Sequence, residues 1–337
     1  MYETGGKMNF NDIIKCFGID GTIQISEIKD GHINHTFLVE CPGGENYVLQ
    51  SINRKVFHNP ENIMENINRI EKVFEAHEEE SVTIPHYICT ENGQNYVEFE
   101  DEIYRMYNYT APSENVNNKF YMSGFSFGTF IRRIGVRSIR LKPTIENFHS
   151  YSSYFSLLVS ADKNSGLKKI DKIIMGRLDS LRDTLEQVFT VDFPKRNVHN
   201  DAKISNVIFG EKCTVIDLDT AMDGYAAIDY GDLIRSVCTS EQLDFKVICD
   251  VTNGFAAGLE GILTDDEIYS LYYGMLYVTG ELAVRYLIDY LSEEKYFNGK
   301  SSAECLNRAN ELLRQLNLFI SGGDELVSII YKAFKKQ

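Results

Sequence analysis

The amino-acid sequence predicts an α+β fold with two lobes, a small antiparallel β-sheet lobe with one helix and a larger, mainly helical lobe. Two observations predict it. Short alternating apolar stretches, separated by turns rich in glycine and proline, occupy residues 22–109. From about residue 121 onward, apolar residues recur at helical spacing. The 337 residues suffice for two cores, and we place the lobes at residues 1–109 and 110–337.

The first lobe begins with three predicted strands. Residues 22–28 and 35–41 alternate between apolar and polar side chains, and a third strand resumes at residues 47–50. The turn between the first two strands contains Gly31 and Asn34. Because successive backbone N–H groups of such a turn form a concavity that attracts anions, this turn is a candidate phosphate-binding segment.

A helix and further strands complete this lobe. Asn59 is predicted to cap a helix that starts at Pro60 and carries an apolar stripe as far as residue 74. Residues 87–90 and 96–99 are predicted to form a hairpin around Asn92-Gly93, and residues 103–109 a last strand. Residues 111–113 would then cross to the second lobe.

The second lobe is predicted from helical patterns. Residues 168–190 carry a stripe of aliphatic side chains that indicates a core-facing helix, and further helical stretches cover residues 282–291 and 306–320. Between them lie a loop and a short hairpin, which hold the most informative residues of the chain.

That loop reads H-x-D-x-x-x-x-N from His199 to Asn206, and the apolar run that follows it ends at Asp217. The pattern is typical of protein-kinase-like phosphotransferases. Asp201 would accept the proton of an attacking hydroxyl, and Lys203 would offset charge on the γ-phosphate of ATP. Asn206 and Asp217 would hold Mg²⁺, which prefers oxygen ligands. The sequence thus predicts a protein-kinase-like two-lobe fold that uses ATP and magnesium.

Five positions of the first lobe are candidate nucleotide contacts. In a kinase-like lobe the first turn covers the phosphates, the third strand faces them, and the last strand leads to a hinge for the adenine ring. These positions are Gly31, Asn34, Gln50, Tyr107 and Tyr109.

The composition of the chain disfavours some classes of partner and indicates a cellular compartment. The net charge of −15 repels nucleic acid and anionic lipid, so neither is an expected partner. The seven cysteines form no C-x-x-C pair, which indicates reduced thiols and no zinc site. No apolar run is long enough for a signal sequence or a transmembrane helix. We therefore expect a cytoplasmic protein; the sequence does not determine its oligomeric state.

The same residues resemble the aminoglycoside phosphotransferase/choline kinase superfamily, and within it the N-acetylhexosamine 1-kinases. The resemblance rests on segments spread over nearly the whole chain: residues 31–36, 47–53, 147–149, 199–207, 215–220, 229–235, 285–291 and 296–297. It implies an ATP-dependent kinase that phosphorylates the anomeric hydroxyl of N-acetylglucosamine or N-acetylgalactosamine. It also implies that Asp201 is the base, that Asn206 and Asp217 bind magnesium, and that His32 and Arg285 face the sugar.

Some positions depart from these patterns. Gln50 stands where protein kinases carry a lysine that holds the α- and β-phosphates, which leaves Lys203 as the best remaining cation. Ser150 and Tyr154 occupy places where this branch tends to have aspartate and arginine. If they line the sugar pocket, the preferred sugar can differ.

Two other functions remain open. A kinase of the same fold acting on an aminoglycoside, a choline-like amine or another sugar needs, for a cationic acceptor, carboxylates or an aromatic box; Glu281 and Asp289 are candidates. A pseudokinase without catalysis is disfavoured, because Asp201, Asn206 and Asp217 are all present. His199, Asp219 and Asp229 are expected to have structural roles, with Asp219 as an alternative metal ligand.

Overall fold

The computed structural model describes residues 10–21, 23–28, 33–76, 81–113, 116–135, 139–166, 169–297 and 299–335. Five strands form one antiparallel sheet in the order β1-β2-β3-β6-β5. Their bounds are Gln24–Ile28 (β1), His35–Glu40 (β2), Asn46–Ile52 (β3), Val97–Phe99 (β5) and Glu102–Asn108 (β6). The predicted three-stranded start and the last strand before the hinge are therefore present. Gly31 and His32 lie outside the described residues.

Two helices pack with this sheet, one on each side. Helix α1 (Phe10–Cys16) buries Ile13 and Ile14 in a cluster with Leu49 and Met106. Helix α2 (Pro60–Glu75) buries its apolar stripe on the opposite side, toward the helical part of the protein. Proline takes the first helical position as predicted, but the Asn59 side chain makes no capping hydrogen bond.

The predicted hairpin over residues 87–99 is wrong. Tyr87 forms an isolated bridge with Tyr107, and Val97–Phe99 pairs with β6, the strand that follows it. Gly93 instead closes a local turn, in which its N–H donates to the carbonyl of Thr90. The Asn-Gly signal thus marked a real turn, but the two flanking segments pair with β6 rather than with each other, because β6 offers a long buried partner.

The helical part contains eight described helices. Their bounds are Lys119–Ile134 (α3), Tyr151–Asn164 (α4), Lys172–Val188 (α5), Ala226–Val237 (α6), Phe245–Leu259 (α7), Asp265–Leu291 (α8), Ser302–Ser321 (α9) and Gly323–Phe334 (α10). The aliphatic stripe predicted in residues 168–190 is core: Leu178, Leu181 and Leu185 on α5 are buried. None of the described helices is both long and apolar enough to cross a membrane.

Two small sheets at the centre of the molecule hold the loops that carry the candidate site. Strand β7 (Arg196–Val198) pairs with β10 (Met222–Gly224). Strands β8 (Val207–Ile208) and β9 (Cys213–Val215) form the predicted hairpin, and β4 (Val82–Thr83) adds to β9 in parallel. Strand β4 comes from the first 109 residues, so the hairpin is anchored to both parts of the chain.

Candidate active site

The catalytic loop follows β7 and is held in shape by a buried carboxylate. Asp229 on α6 accepts hydrogen bonds from the backbone N–H groups of His199 (2.8 Å) and Asn200 (2.7 Å). Asn200 has a left-handed backbone with φ of 62°, a conformation that asparagine tolerates better than most residues. Burial raises the pKa of Asp229 to about 7. The expected bracing role of Asp229 agrees with this geometry.

His199 links the catalytic loop to the strand that precedes Asp217. The ring is fully buried between Phe127 and Phe130. Its Nε2 lies 2.9 Å from the carbonyl oxygen of Ile216, which can only accept, so Nε2 carries the proton. Burial lowers the pKa of His199, so the ring is neutral. His199 therefore ties the catalytic loop, which carries Asp201, to the segment that carries Asp217.

The side chain of Asp201 has one oxygen engaged and one left open. Its Oδ2 accepts from Lys203 Nζ at 2.8 Å and from Asn206 Nδ2 at 3.0 Å. Among the residues that the structure describes, no donor binds its Oδ1. Burial opposes the positive charge of Lys203, but the carboxylates of Asp201 and Asp217 outweigh it and raise the lysine pKa. The arrangement leaves one carboxylate oxygen able to take a proton.

Asn206 and Asp217 are brought together by the β8–β9 hairpin. Ile216, adjacent to Asp217, donates its N–H to the carbonyl oxygen of Asn206 at 3.0 Å. The amide Nδ2 of Asn206 is used by Asp201, which leaves its Oδ1 for another partner. In the described parts of the chain, the Asp217 carboxylate has no hydrogen-bond donor. Two free oxygen-bearing groups at the open end of one hairpin suit a magnesium ion.

The electrostatics of Asp217 also favour a cation. Its backbone has φ of 63°, and a single helical turn, Leu218–Thr220, follows it. Desolvation within the site and the neighbouring carboxylates of Asp219 and Asp201 raise its pKa, although the residue keeps an exposed surface. A divalent cation between these acids would remove the repulsion that raises the pKa. The donor set therefore fits Mg²⁺.

A buried polar network joins the five-stranded sheet to this turn. Arg105 on β6 pairs with Asp219 (Nη1 to Oδ1, 2.5 Å), and Asn34 donates to the other oxygen of Asp219 at 2.6 Å. Gln50 accepts from Arg105 and donates to Thr36 at 3.0 Å. Both oxygens of Asp219 are thus engaged, one by Arg105 of the sheet and one by Asn34 just before β2, which matches the structural role expected for it.

Arg105 is the residue that sequence reasoning missed. Only 1% of it is exposed, although it carries a permanent charge. The available signal was a lone charged residue inside the strongly apolar run from Ile103 to Tyr109. Recognising its partner needed the strand register, which places Arg105 directly opposite Gln50.

The two tyrosines expected at the hinge lie near the end of β6. Tyr107 is half-buried and packs against Tyr87, with ring centroids 5.2 Å apart. Tyr109 is 38% exposed, and its N–H donates to the carbonyl of Asn46. The chain then runs to α3 through Ser113, whose N–H donates to the carbonyl of Phe209 in the large lobe.

Arg285 on α8 lies within a cluster of aromatic rings. Its guanidinium carbon is 4.4 Å from the ring centroid of Tyr296, 5.3 Å from Tyr154, 5.4 Å from Phe297 and 6.0 Å from Phe148. Burial opposes its charge, but Tyr296, Tyr154 and Glu281 outweigh it and raise the pKa of Arg285. Arg285 is therefore a positioned cation, not a solvated side chain.

His149 lies between this cluster and the catalytic loop. Its Nε2 donates to the carbonyl of Asn200 at 2.8 Å, and its Nδ1 lies 3.2 Å from Oε1 of the buried Glu281. Burial opposes protonation, but Glu281 outweighs it and raises the pKa of His149. The catalytic loop and the centre of α8 are thus joined through one charged pair.

Comparisons with known proteins agree with this architecture. Residues 140–258, about a third of the chain, match the sequence model of the phosphotransferase enzyme family, APH. The segment includes Asp201, Asn206 and Asp217. This segment is therefore similar to that family in sequence.

Solved structures of such kinases have the same fold along nearly the whole chain. Amicoumacin kinase hAmiN, in complex with AMP-PNP, Ca²⁺ and Ami, has a TM-score of 0.60 at 12% identity, over 87% of this chain and 88% of that one. An aminoglycoside phosphotransferase from Alicyclobacillus acidocaldarius has a TM-score of 0.60 at 12% identity, over 99% and 98%. A choline kinase from Cryptosporidium parvum has a TM-score of 0.57 at 12% identity, over 91% and 90%. The protein therefore has the kinase-like fold of these enzymes.

Proposed function

We propose that this protein is an ATP-dependent sugar kinase that phosphorylates the anomeric hydroxyl of an N-acetylhexosamine. The observation that carries the phosphotransferase part is the arrangement around Asp201. One of its oxygens is held by Lys203 and Asn206, the other is open, and the free oxygens of Asn206 and Asp217 lie at the end of the same hairpin. A kinase of similar fold, amicoumacin kinase hAmiN, forms a complex with AMP-PNP and Ca²⁺. This supports a nucleoside triphosphate and a divalent cation as partners.

The chemistry follows from these positions. Asp201 takes the proton of the acceptor hydroxyl, and the hydroxyl oxygen bonds to the γ-phosphorus while the bond to the departing ADP oxygen breaks. As Asp201 becomes protonated, its ion pair with Lys203 weakens, and the ammonium group is free to turn to the transferring phosphoryl group. Mg²⁺, held by Asn206 and Asp217, would neutralise charge on the phosphate oxygens.

We place the acceptor beside the aromatic cluster around Arg285, and this placement favours a neutral acceptor. A cationic alcohol binds where aromatic faces and unpaired carboxylates meet. Here the aromatic cluster already surrounds the protein's own cation, Arg285. A second cation in that cluster would be repelled by the guanidinium group, whereas the hydroxyl and amide oxygens of a sugar would accept its hydrogen bonds.

Glu281 and Asp289, the two carboxylates expected to bind a cationic acceptor, have other partners. Glu281 pairs with His149. Asp289 accepts from the backbone N–H groups of Tyr296 at 3.1 Å and Phe297 at 2.8 Å, and so holds these aromatic rings in place. A choline-like or aminoglycoside acceptor therefore remains the second candidate, favoured only by the acceptors of enzymes with a similar fold.

The experiment that tests the proposal is an ADP-release assay with ATP–Mg²⁺ and a panel of acceptors. The panel contains N-acetylglucosamine, N-acetylgalactosamine, glucose, galactose, choline and kanamycin, and the Asp201→Ala variant gives the background. We expect turnover on an N-acetylhexosamine, with phosphorus NMR placing the phosphate on the anomeric carbon. Turnover confined to choline or kanamycin would overturn the sugar assignment and keep the phosphotransferase. Nucleotide binding without turnover on any acceptor would favour a pseudokinase.

A further inference from the structure

Strand β3 carries no cation at the position that faces the catalytic hairpin, but its neighbour β6 does. The register pairs Gln50 on β3 directly with Arg105 on β6, so the two side chains lie on the same face of the sheet. Gln50 is used at both ends: its Oε1 accepts two hydrogen bonds from Arg105, at 3.0 and 2.5 Å, and its Nε2 donates to Thr36. Gln50 therefore holds the guanidinium group in place.

The partner of Arg105 lies on the loop of the candidate metal site. Its Nη1 is 2.5 Å from Oδ1 of Asp219, and the two side chains are 1% and 3% exposed. Asp219 belongs to the single helical turn that directly follows Asp217. Arg105 thus connects strand β6 of the five-stranded sheet to the backbone that presents the proposed magnesium ligand.

Helix α2 does not supply the carboxylate for this arginine. Three of its four glutamates have other described partners: Glu61 pairs with Arg54, Glu65 with Lys142, and Glu71 with His86. The helix contributes instead an amide, since Asn66 donates to the carbonyl of Ala221 at 3.1 Å. The turn after Asp217 is therefore held on one side by Arg105 and Asn34, and on the other by α2.

The charges around the site require a cation at this position. The carboxylate of Asp219 is buried only two residues after Asp217, the proposed magnesium ligand. Lys203 is paired with Asp201. Without Arg105, a buried Asp219 would be an unpaired charge beside Asp217, which is costly and would displace the turn.

We propose that Arg105 is a positioning residue for metal–nucleotide binding, which acts from β6 through Asp219 to hold Asp217. The inference rests on the proposed function, since it assigns Asp217 to the metal. Arg105 does not contact the nucleotide in this arrangement, because it is buried against Asp219 and Gln50. Its effect is expected on the affinity for metal–nucleotide more than on the transfer step.

The test measures direct binding of Mg–ADP to the full chain by calorimetry, without any acceptor. We expect Arg105→Gln to weaken Mg–ADP binding at least tenfold, because Asp219 then lacks its charged partner. In the double variant Gln50→Lys with Arg105→Gln the cation moves to the strand position directly opposite, and we expect it to recover most of the affinity. A third variant, Arg105→Gln with Asp219→Asn, removes the unpaired charge but does not restore the ion pair that holds the turn, so its affinity is expected to stay below that of wild type.

A matched control is available in Arg133, another buried arginine. It is 4% exposed, donates to the carbonyl of Val82 and lies over the ring of Phe74, not against Asp219. We expect Arg133→Gln to lower the melting temperature and to leave Mg–ADP affinity unchanged. This separates a loss of general stability from a loss of positioning.

The outcomes separate this inference from the proposed function. Mg–ADP affinity equal to wild type in Arg105→Gln, or full affinity in the neutral double variant, would overturn the role of Arg105. If Arg105→Gln does not fold, the comparison of the two double variants decides. A wild-type protein that fails to bind Mg–ADP overturns both ideas. A wild type that binds Mg–ADP and shows this pattern, but phosphorylates no sugar, overturns only the sugar-kinase assignment.

Discussion

At the scale of single residues, the site is organised by side chains that use one polar group for structure and leave another for chemistry. The side-chain N–H of Asn206 donates to Asp201, and the side-chain oxygen of Asn206 remains free. Asp201 uses Oδ2 for Lys203 and Asn206 and keeps Oδ1. Each of these side chains therefore has a structural and a chemical role, and a substitution removes both. This is why these residue types at this spacing indicate a function.

The first prediction concerns Asp201. In Asp201→Ala we expect turnover to fall about 10²- to 10⁴-fold, because no other described group lies at that position to take the hydroxyl proton. Affinity for Mg–ADP should change little, since Asp201 is not assigned to the metal. Asp217→Asn should instead weaken Mg–ADP binding. A steady-state assay and a binding titration check both; Asp192→Ala, in an exposed loop, is the control. An Asp201→Ala enzyme retaining a tenth of wild-type turnover would contradict the assigned role.

The second prediction concerns the pH dependence of stability through Asp229. Its pKa is raised to about 7 by burial, so protonation is easier in the folded than in the unfolded chain. Its contribution is therefore fully present below the pKa of a free aspartate, and is lost as the pH rises through about 7. Asp229→Asn should show a smaller change in the free energy of unfolding between pH 5 and pH 8.

The same variant should also be less stable than wild type at pH 5. An asparagine can accept only through one oxygen, so one of the N–H groups of His199 and Asn200 loses its partner, at a cost of about 1–3 kcal/mol. Urea unfolding at several pH values measures both effects. An unchanged pH dependence in the variant would show that another group governs stability in this range.

Sequence spacing predicted which residues to suspect, but not which partner each would take. His199, Asp201, Asn206 and Asp217 lie within one short segment, so local chain geometry already constrains them to one site. Arg105 and Asp219 are far apart in the chain and meet only in the folded protein, where β6 lies between β3 and β5 in the sheet. A single sequence contains no local signal for such a pair.

At the scale of secondary-structure elements, the helical part depends on two helices in backbone contact. Helices α3 and α7 each carry two glycines four residues apart, Gly124 and Gly128 on α3 and Gly254 and Gly258 on α7. A Cβ atom at Gly254 would lie 1.9 Å from the carbonyl oxygen of Tyr121, and one at Gly124 would lie 2.0 Å from that of Val251. Neither contact can be relieved by rotating a side chain.

The third prediction follows from this packing. Gly254→Ala should destabilise the protein by several kcal/mol, because the added methyl group forces the helix backbones apart. Gly176→Ala on α5 is the matched control: nothing lies within 4 Å of its Cβ position. There alanine should stabilise by about 0.5–1 kcal/mol through helix propensity. Chemical denaturation of both variants is the measurement; equal stability of the two would contradict the close approach.

Helices and strands were predicted correctly where a single apolar periodicity ran through the whole segment. The stripe on α5 and the strands β2, β3 and β6 were visible from apolar periodicity alone. The hairpin over residues 87–99 was wrong because both segments pair with β6, a competition that short-range patterns do not reveal. The start of α2 was right although the Asn59 side chain makes no cap, since proline by itself favours the first helical turn.

At the scale of the whole molecule, the net charge of −15 shapes the approach of an anionic nucleotide. The cations assigned to the site, Lys203 and Arg105, are each paired with a carboxylate. Their local attraction is thereby reduced, so the long-range field that a nucleotide meets is negative. Salt screens such a field over a length of about 10 Å at 0.1 M ionic strength.

The fourth prediction is that added salt accelerates nucleotide association. Raising the ionic strength screens the repulsion between the acidic protein and Mg–ADP, so the association rate constant should increase severalfold between low and physiological ionic strength. Stopped-flow fluorescence with a labelled ADP measures this rate, and a neutral viscosity-matched additive is the control. A rate that falls with salt would show that a local positive field dominates the approach.

The sequence by itself determined the class of fold and the segment where chemistry is expected. The α+β organisation followed from periodicity, and the catalytic loop with Asp217 followed from residue types at fixed spacing, because both signals are local in the chain. The tertiary structure alone decided that Arg105 pairs with Asp219, that Glu281 is taken by His149, and that Arg285 lies among aromatic rings. These are contacts between distant segments, and only the packed fold brings their charges into the same low-dielectric space.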